Sequence, residues 1–107
     1  MLKGRVIAEN DTAFLTENSI HRGIYLIMPV QHLEKLEDLP DNWWASFKQL
    51  LPSVPNMTEN DYNVSINVGP VAGQTLKHLH FWIIPRYNDQ PASNIGMAGL
   101  INIVNQG

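Results

Sequence analysis

Apolar and polar positions fall along this chain in short runs separated by Pro, Gly, Asn and Asp. Val6 to Ala8 and Ala13 to Leu15 read as two strands around the polar turn Glu9-Asn10-Asp11. Gly23 to Met28 is a third strand, apolar on both faces and closed by Pro29, which places it centrally in a sheet. A short helical turn is expected around His32 to Leu36. From Pro40 to Leu51 the period changes: Trp43, Trp44, Phe47, Leu50 and Leu51 recur at helical spacing and define one apolar face. Asp38 or Asp41 is placed to cap this helix, and Pro52 ends it. A loop rich in Pro, Asn and Ser leads to Asp61. Tyr62 to Val68 alternates, with Tyr62, Val64, Ile66 and Val68 on one side and Asn63, Ser65 and Asn67 on the other. Gly69 to Thr75 is a turn, and Lys77 to Ile84 is the last strand, stopped by Pro85. The tail beyond Arg86 is polar, then weakly apolar from Ile95 to Val104, and receives no element. Consecutive short strands with one main helix predict an α+β domain on an antiparallel sheet.

Composition narrows the class. A length of 107 residues suits one domain, 1–107. With 44% hydrophobic and 16% charged residues, a packed core is expected rather than disorder. So small a domain gains from pairing with a second copy. No apolar run is long enough to cross a membrane and no signal-peptide pattern opens the chain, so a cytoplasmic setting is expected. The absence of cysteine excludes disulfides, thiolate metal sites and a cysteine nucleophile. The net charge is −3 and the few basic residues are scattered, without the basic stripe of a nucleic-acid binder. Any phosphate chemistry must then be local, carried by imidazoles, amides and backbone N–H groups.

The last strand carries the candidate chemistry. Side chains alternate on a strand, so His78, His80, Trp82 and Ile84 share one face while Leu79, Phe81 and Ile83 pack on the helix. Imidazoles two residues apart lie roughly 6–7 Å from one another, which suits neighbouring oxygens of one phosphate ester. Imidazole serves as nucleophile, acid or donor. Just upstream, Gly73-Gln74-Thr75 offers a glycine turn that brings N–H groups to an anion, with Gln74 as a neutral amide donor. Two other readings use the same residues. Paired histidines on a strand are commonly surface or satisfied core groups. His-x-His is also a zinc pair, which needs a further ligand from His32 or an acid and leaves the Gly-Gln-Thr turn unexplained.

The stretch Val68 to Arg86 resembles the signature of the histidine triad family: Gly-Gln-Thr or Gly-Gln-Ser, then His-φ-His-φ-His-φ-φ with φ apolar, often followed by Pro-Arg. Upstream, Gly23 to His32 is similar to the family's strand ending in Pro-x-x-His, Leu36 to Leu39 to the segment before its main helix, and Asn67-Val68-Gly69 to its Asn-x-Gly strand end. The resemblance runs from about Val6 to Arg86, with the motif region at 67–86. It implies a histidine-triad-like fold, an antiparallel sheet of five strands with one main helix, and a homodimer.

The resemblance also implies roles. His80 aligns with the central histidine, the nucleophile that takes a nucleotidyl phosphoryl group. A backbone carbonyl accepting from its other nitrogen would fix its tautomer. His78 is its structural partner, and Gln74 donates to the transferring phosphate or orients the leaving group. Asn67, Gly73 and Thr75 hold phosphate oxygens or the site's loops, and His32 lines the rim. His21 reads as a plain loop residue. No metal or cofactor is implied; the partner is a small nucleotide or phosphate ester. Three departures stand out. Trp82 replaces the third histidine, Thr16 falls where the family has its ribose-binding acid with Glu17 beside it, and Ile24 replaces a histidine. The helix is also shorter than is usual for the family. The expected function is a nucleotidyl hydrolase or transferase acting on nucleoside phosphoramidates or dinucleoside polyphosphates; the alternative is a nucleotide-binding module with impaired catalysis.

Overall fold

The computed structural model describes residues 5–57, 61–90 and 96. Five strands form one sheet: β1 (Val6–Glu9), β2 (Ala13–Glu17), β3 (Tyr25–Pro29), β4 (Asp61–Ile66) and β5 (Phe81–Arg86). Their order is β1-β2-β3-β5-β4, and every neighbouring pair is antiparallel. The main helix, α1, spans Trp43–Leu50. This is the expected α+β architecture, with β3 central and buried along its whole length.

The helix is shorter at its start than Pro40 to Leu51. Neither Asp38 nor Asp41 caps it; Asn42 stands at the N-cap position without a side-chain bond, and the Trp43 N–H donates to the Pro40 carbonyl at 3.0 Å. Pro52 falls in a 3-10 turn, Leu51–Ser53, which ends the element as expected. The expected turn near His32 to Leu36 forms slightly later, as a 3-10 turn at Leu36–Asp38. Trp43, Phe47 and Leu50 face a core of Ala13, Leu15, Tyr25, Ile27, Leu79, Phe81 and Ile83. Trp44 is 42% exposed, although its ring still meets Phe81 at 5.3 Å. Polar bonds tie α1 to the β1–β2 turn: Trp43 Nε1 donates to the Thr12 carbonyl at 3.0 Å and Asn10 Nδ2 to Gln49 Oε1 at 2.8 Å. The opposite face of the sheet holds a smaller cluster of Phe14, Leu26 and Met28, packed by Val6 and Trp82.

The last strand differs from the expected Lys77 to Ile84 at both ends. Its pairing with β3 begins at Ile27↔Phe81, because Pro29 has no N–H to extend the ladder. The chain before Phe81 turns elsewhere, and the Leu79 N–H donates to the Leu33 carbonyl at 2.6 Å. Pro85 does not stop the strand. Pairing with β3 ends at Tyr25↔Ile83, so beyond Ile83 one side of the strand has no ladder to lose, while β4 pairs with it through Asp61↔Arg86.

Candidate active site

His78 and His80 therefore sit in the irregular approach to β5 rather than on the strand. Two bonds fix them. His78 Nε2 lies 2.8 Å from the Pro29 carbonyl, the acceptor that the β3–β5 ladder leaves unused. His80 Nδ1 lies 2.8 Å from the carbonyl of His78. A carbonyl only accepts, so each of these ring nitrogens carries the proton and donates. In the neutral ring of His80 this leaves Nε2 as the unprotonated nitrogen, with its lone pair free for a ligand. The ring is 7% exposed and is held by the core beneath it, since Leu79 and Phe81 on either side are buried against α1. Phe81 stacks on Trp43 at 5.6 Å and meets Phe47 at 5.4 Å.

His80 opens onto a cleft of about 640 Å³, within the range of small-molecule sites. Asn67, Gly73, Thr75 and Trp82 line it with His80. Gly73 has φ +99°, a left-handed conformation that closes the 3-10 turn Pro70–Ala72, and a Cβ there would stand 3.4 Å from Asn67 Nδ2. That distance is an ordinary contact, so it is the left-handed backbone that calls for glycine here.

Three expected site residues lie elsewhere. His78 is absent from the cleft lining, being turned to Pro29. His32 is exposed beside it, with ring centroids 5.2 Å apart, and its Nε2 is 3.8 Å from Glu34. Gln74 turns its amide into the loop: Oε1 accepts from the Gly69 N–H at 2.7 Å. Its Nε2 is buried without a hydrogen-bond partner, so Gln74 shapes the turn and does not line the cleft. Among the described residues, no group of three or more His, Asp or Glu side chains is placed to hold a metal.

Trp82 is half-buried, and its ring lies 6.3 Å from that of His80 and 6.2 Å from that of His21. Its Nε1 is buried with no partner. An unpaired buried donor costs about 1–3 kcal/mol, and this one belongs to a residue that lines the cleft. Thr16, which falls where the family has its ribose-binding acid, does not line the cleft. It is 1% exposed, and its hydroxyl donates to the Arg5 carbonyl at 2.8 Å, so it holds β1 rather than a sugar. Glu17 does line the cleft, but its Oε2 accepts from the Gly23 N–H at 3.1 Å.

Sequence reasoning overlooked the β2–β3 loop. Ser19, Ile20, His21 and Arg22 line the cleft together with Arg5. Asn18 shapes the loop, its Oδ1 accepting from the N–H groups of Ile20 and His21 at 2.8 and 2.9 Å. The Asn18-Ser19 pair and Gly23 signal a turn, but nothing local says that the turn folds over His80.

Sheet, helix and cleft define a small α+β protein built around one imidazole with a fixed tautomer. The HIT domain model matches residues 3–89, and the chain belongs to the HIT family. It is 34% identical over 92 residues to an uncharacterized HIT-like protein of Methanocaldococcus jannaschii, covering 80% of this chain and 71% of the relative. It is 34% identical over 88 residues to the adenosine 5'-monophosphoramidase of Schizosaccharomyces pombe, covering 78% of this chain but 64% of that protein. Among solved structures, one described as a Hit Like Protein superposes with TM-score 0.67 at 24% identity, covering 77% of this chain and 85% of that one; this likeness speaks to the fold.

Proposed function

We infer that the chain binds a nucleotide or related phosphate ester in this cleft and acts as a nucleotidyl hydrolase or transferase through a phosphohistidyl intermediate on His80. The observation that carries the reading is the 2.8 Å contact from His80 Nδ1 to the His78 carbonyl, which in the neutral ring leaves Nε2 as the acceptor. In the first step the Nε2 lone pair attacks phosphorus; an N–P bond forms and the bond to the leaving group breaks with its electron pair on that group, a phosphate leaving as the oxyanion and an amine taking a proton from solvent. Water or another acceptor then attacks phosphorus and gives its proton to solvent, and the electron pair of the N–P bond returns to Nε2. Asn67, Thr75 and the main chain at Gly73 hold the phosphoryl oxygens. His78 positions His80, and Gln74 keeps the turn in shape. The likeness to a monophosphoramidase supports a nucleoside phosphoramidate as a first substrate to try, with dinucleoside polyphosphates beside it. Turnover of either class, lost in His80→Ala, is the expected result; no turnover above that control sinks the catalytic reading.

A second reading follows from Trp82. Indole donates a hydrogen bond but neither accepts one nor gives up its proton, which supports a module that binds and turns over slowly. Calorimetry with AMP and GMP tests it, and failure to bind either removes it. Self-pairing and a cytoplasmic setting complete the proposal. Pairing is supported by the edge strand β4, where Tyr62 and Val64 are 41% and 44% exposed. Sedimentation of the parent against Val64→Lys is expected to show dimer dissociation in the variant; a parent that sediments as a monomer overturns pairing. Among the described residues no helix is long and apolar enough to cross a membrane.

A further inference from the structure

The cleft carries more positive charge than one phosphoryl group on His80 requires. Arg5 and Arg22 line it beside His21, against one carboxylate among the described residues, Glu17, already engaged with the Gly23 N–H. Both guanidiniums belong to exposed residues, and neither forms an ion pair among the described residues. In a chain of net charge −3, two arginines on one cleft reverse the local sign. Their main chains are pinned while their side chains remain free. Thr16 Oγ1 holds the Arg5 carbonyl at 2.8 Å. Around Arg22, Asn18 Oδ1 binds the His21 N–H at 2.9 Å and the Ile24 N–H donates to the His21 carbonyl at 3.3 Å. A guanidinium offers a planar fork of donors that matches phosphate or sulfate oxygens.

We propose that Arg5 and Arg22 form a second anion subsite, which binds a further phosphate or sulfate group of the ligand whose phosphoester lies against His80. This rests on the reading of the cleft as a phosphate-ester site. The second group stands either on the sugar or on the far side of the reacting phosphorus. On the far side it leaves with the electron pair of the broken bond on its oxygen, and the arginines meet that charge. Such a leaving group needs no acid at position 82, which agrees with an indole there.

Calorimetry on the full chain with AMP, ADP, adenosine 2′,5′-bisphosphate and adenosine 3′,5′-bisphosphate tests the subsite. At least one doubly phosphorylated ligand is expected to bind about tenfold more tightly than AMP, the size of one charge-assisted contact. A gain with ADP places the second group on the leaving side; a gain with a bisphosphate places it on the sugar. The ratio to AMP falls towards one in the Arg5→Gln/Arg22→Gln double variant and shrinks as salt is raised. It is unchanged in Lys48→Gln, which removes a charge from an exposed position on α1 outside the cleft lining. Equal affinity for all four ligands, or a gain that survives the double substitution, overturns the subsite and leaves the phosphate-ester reading standing. If none of the four binds, both fall.

Discussion

Replacing Trp82 by Phe separates stability from binding, because the two effects have opposite signs. In the free protein the indole packs beside Phe14, Leu26 and Met28, while its Nε1 is buried without a partner. Phe keeps an aromatic ring in that place and removes the unpaired donor, a relief of about 1–3 kcal/mol. The smaller ring gives up part of the apolar contact, about 1 kcal/mol. The net is roughly neutral to 2 kcal/mol in favour of Trp82→Phe. At ~4–8 °C per kcal/mol for a domain near this size, the melting temperature is unchanged or rises by several degrees. Binding moves the other way. A donor unpaired in the free state gives up no protein bond when the indole turns it to a phosphate oxygen, and a hydrogen bond to a charged acceptor contributes about 1.5–3 kcal/mol. AMP affinity therefore falls on the order of ten- to a hundredfold. Urea melts and calorimetry on the two proteins measure both quantities. A Trp82→Phe protein less stable by more than about 1 kcal/mol, or one that holds AMP as tightly as the parent, refutes the assignment of Nε1 to the ligand.

Other expectations follow from the same geometry. Phe81→Leu loses ring contacts with Trp43, Trp44 and Phe47 at 5.6, 5.3 and 5.4 Å, and should cost about 1–3 kcal/mol in a urea melt; an unchanged midpoint contradicts the packing described. Gly73→Ala places a Cβ 3.4 Å from Asn67 Nδ2 at φ +99°. It should destabilise by about 1 kcal/mol or more and weaken phosphate binding, and intact affinity would detach Gly73 from the site. Rapid-quench mixing with a dinucleoside polyphosphate, whose leaving group departs as an oxyanion, should show a burst of labelled His80 even where steady turnover is slow. A burst that persists in His80→Ala assigns the chemistry to another residue.

Most of the fold was legible because its signals are local. The alternation from Tyr62, which the structure carries to Ile66 rather than Val68, and the helical recurrence of Trp43, Phe47 and Leu50 are periods of the chain itself. The ends of β5 were not, because they depend on partners. A proline stops a strand only where a ladder bond is lost, and which bonds exist beyond Ile83 depends on how far β3 extends beside it. The site divides the same way. His80, Asn67, Gly73, Thr75 and Trp82 lie in one stretch, and the family motif marks them. Arg5 and Arg22 reach the cleft only because β1 pairs with β2 through Val6↔Thr16 and the β2–β3 loop folds over it. Gln74 shows the opposite failure: the motif names it, yet the Gly69 N–H takes its amide oxygen into the turn.

Trp82 need not silence His80, because what prepares His80 does not pass through position 82. The proton on Nδ1 is fixed by a carbonyl two residues earlier, and that segment is fixed in turn by His78 on the Pro29 carbonyl and by Leu79 on Leu33. All of these contacts lie upstream of β5. The side chain at position 82 lines the cleft and takes no part in the nucleophile's own hydrogen bonds, so on the proposed reading an indole there alters which leaving groups depart and how quickly. An amine leaves poorly without a proton, whereas an oxyanion held by Arg5 and Arg22 leaves with its charge already met. With the second group on the leaving side, the indole at position 82 and the two arginines that line the same cleft are one adjustment: a donor that cannot give a proton, paired with cations that make the proton unnecessary.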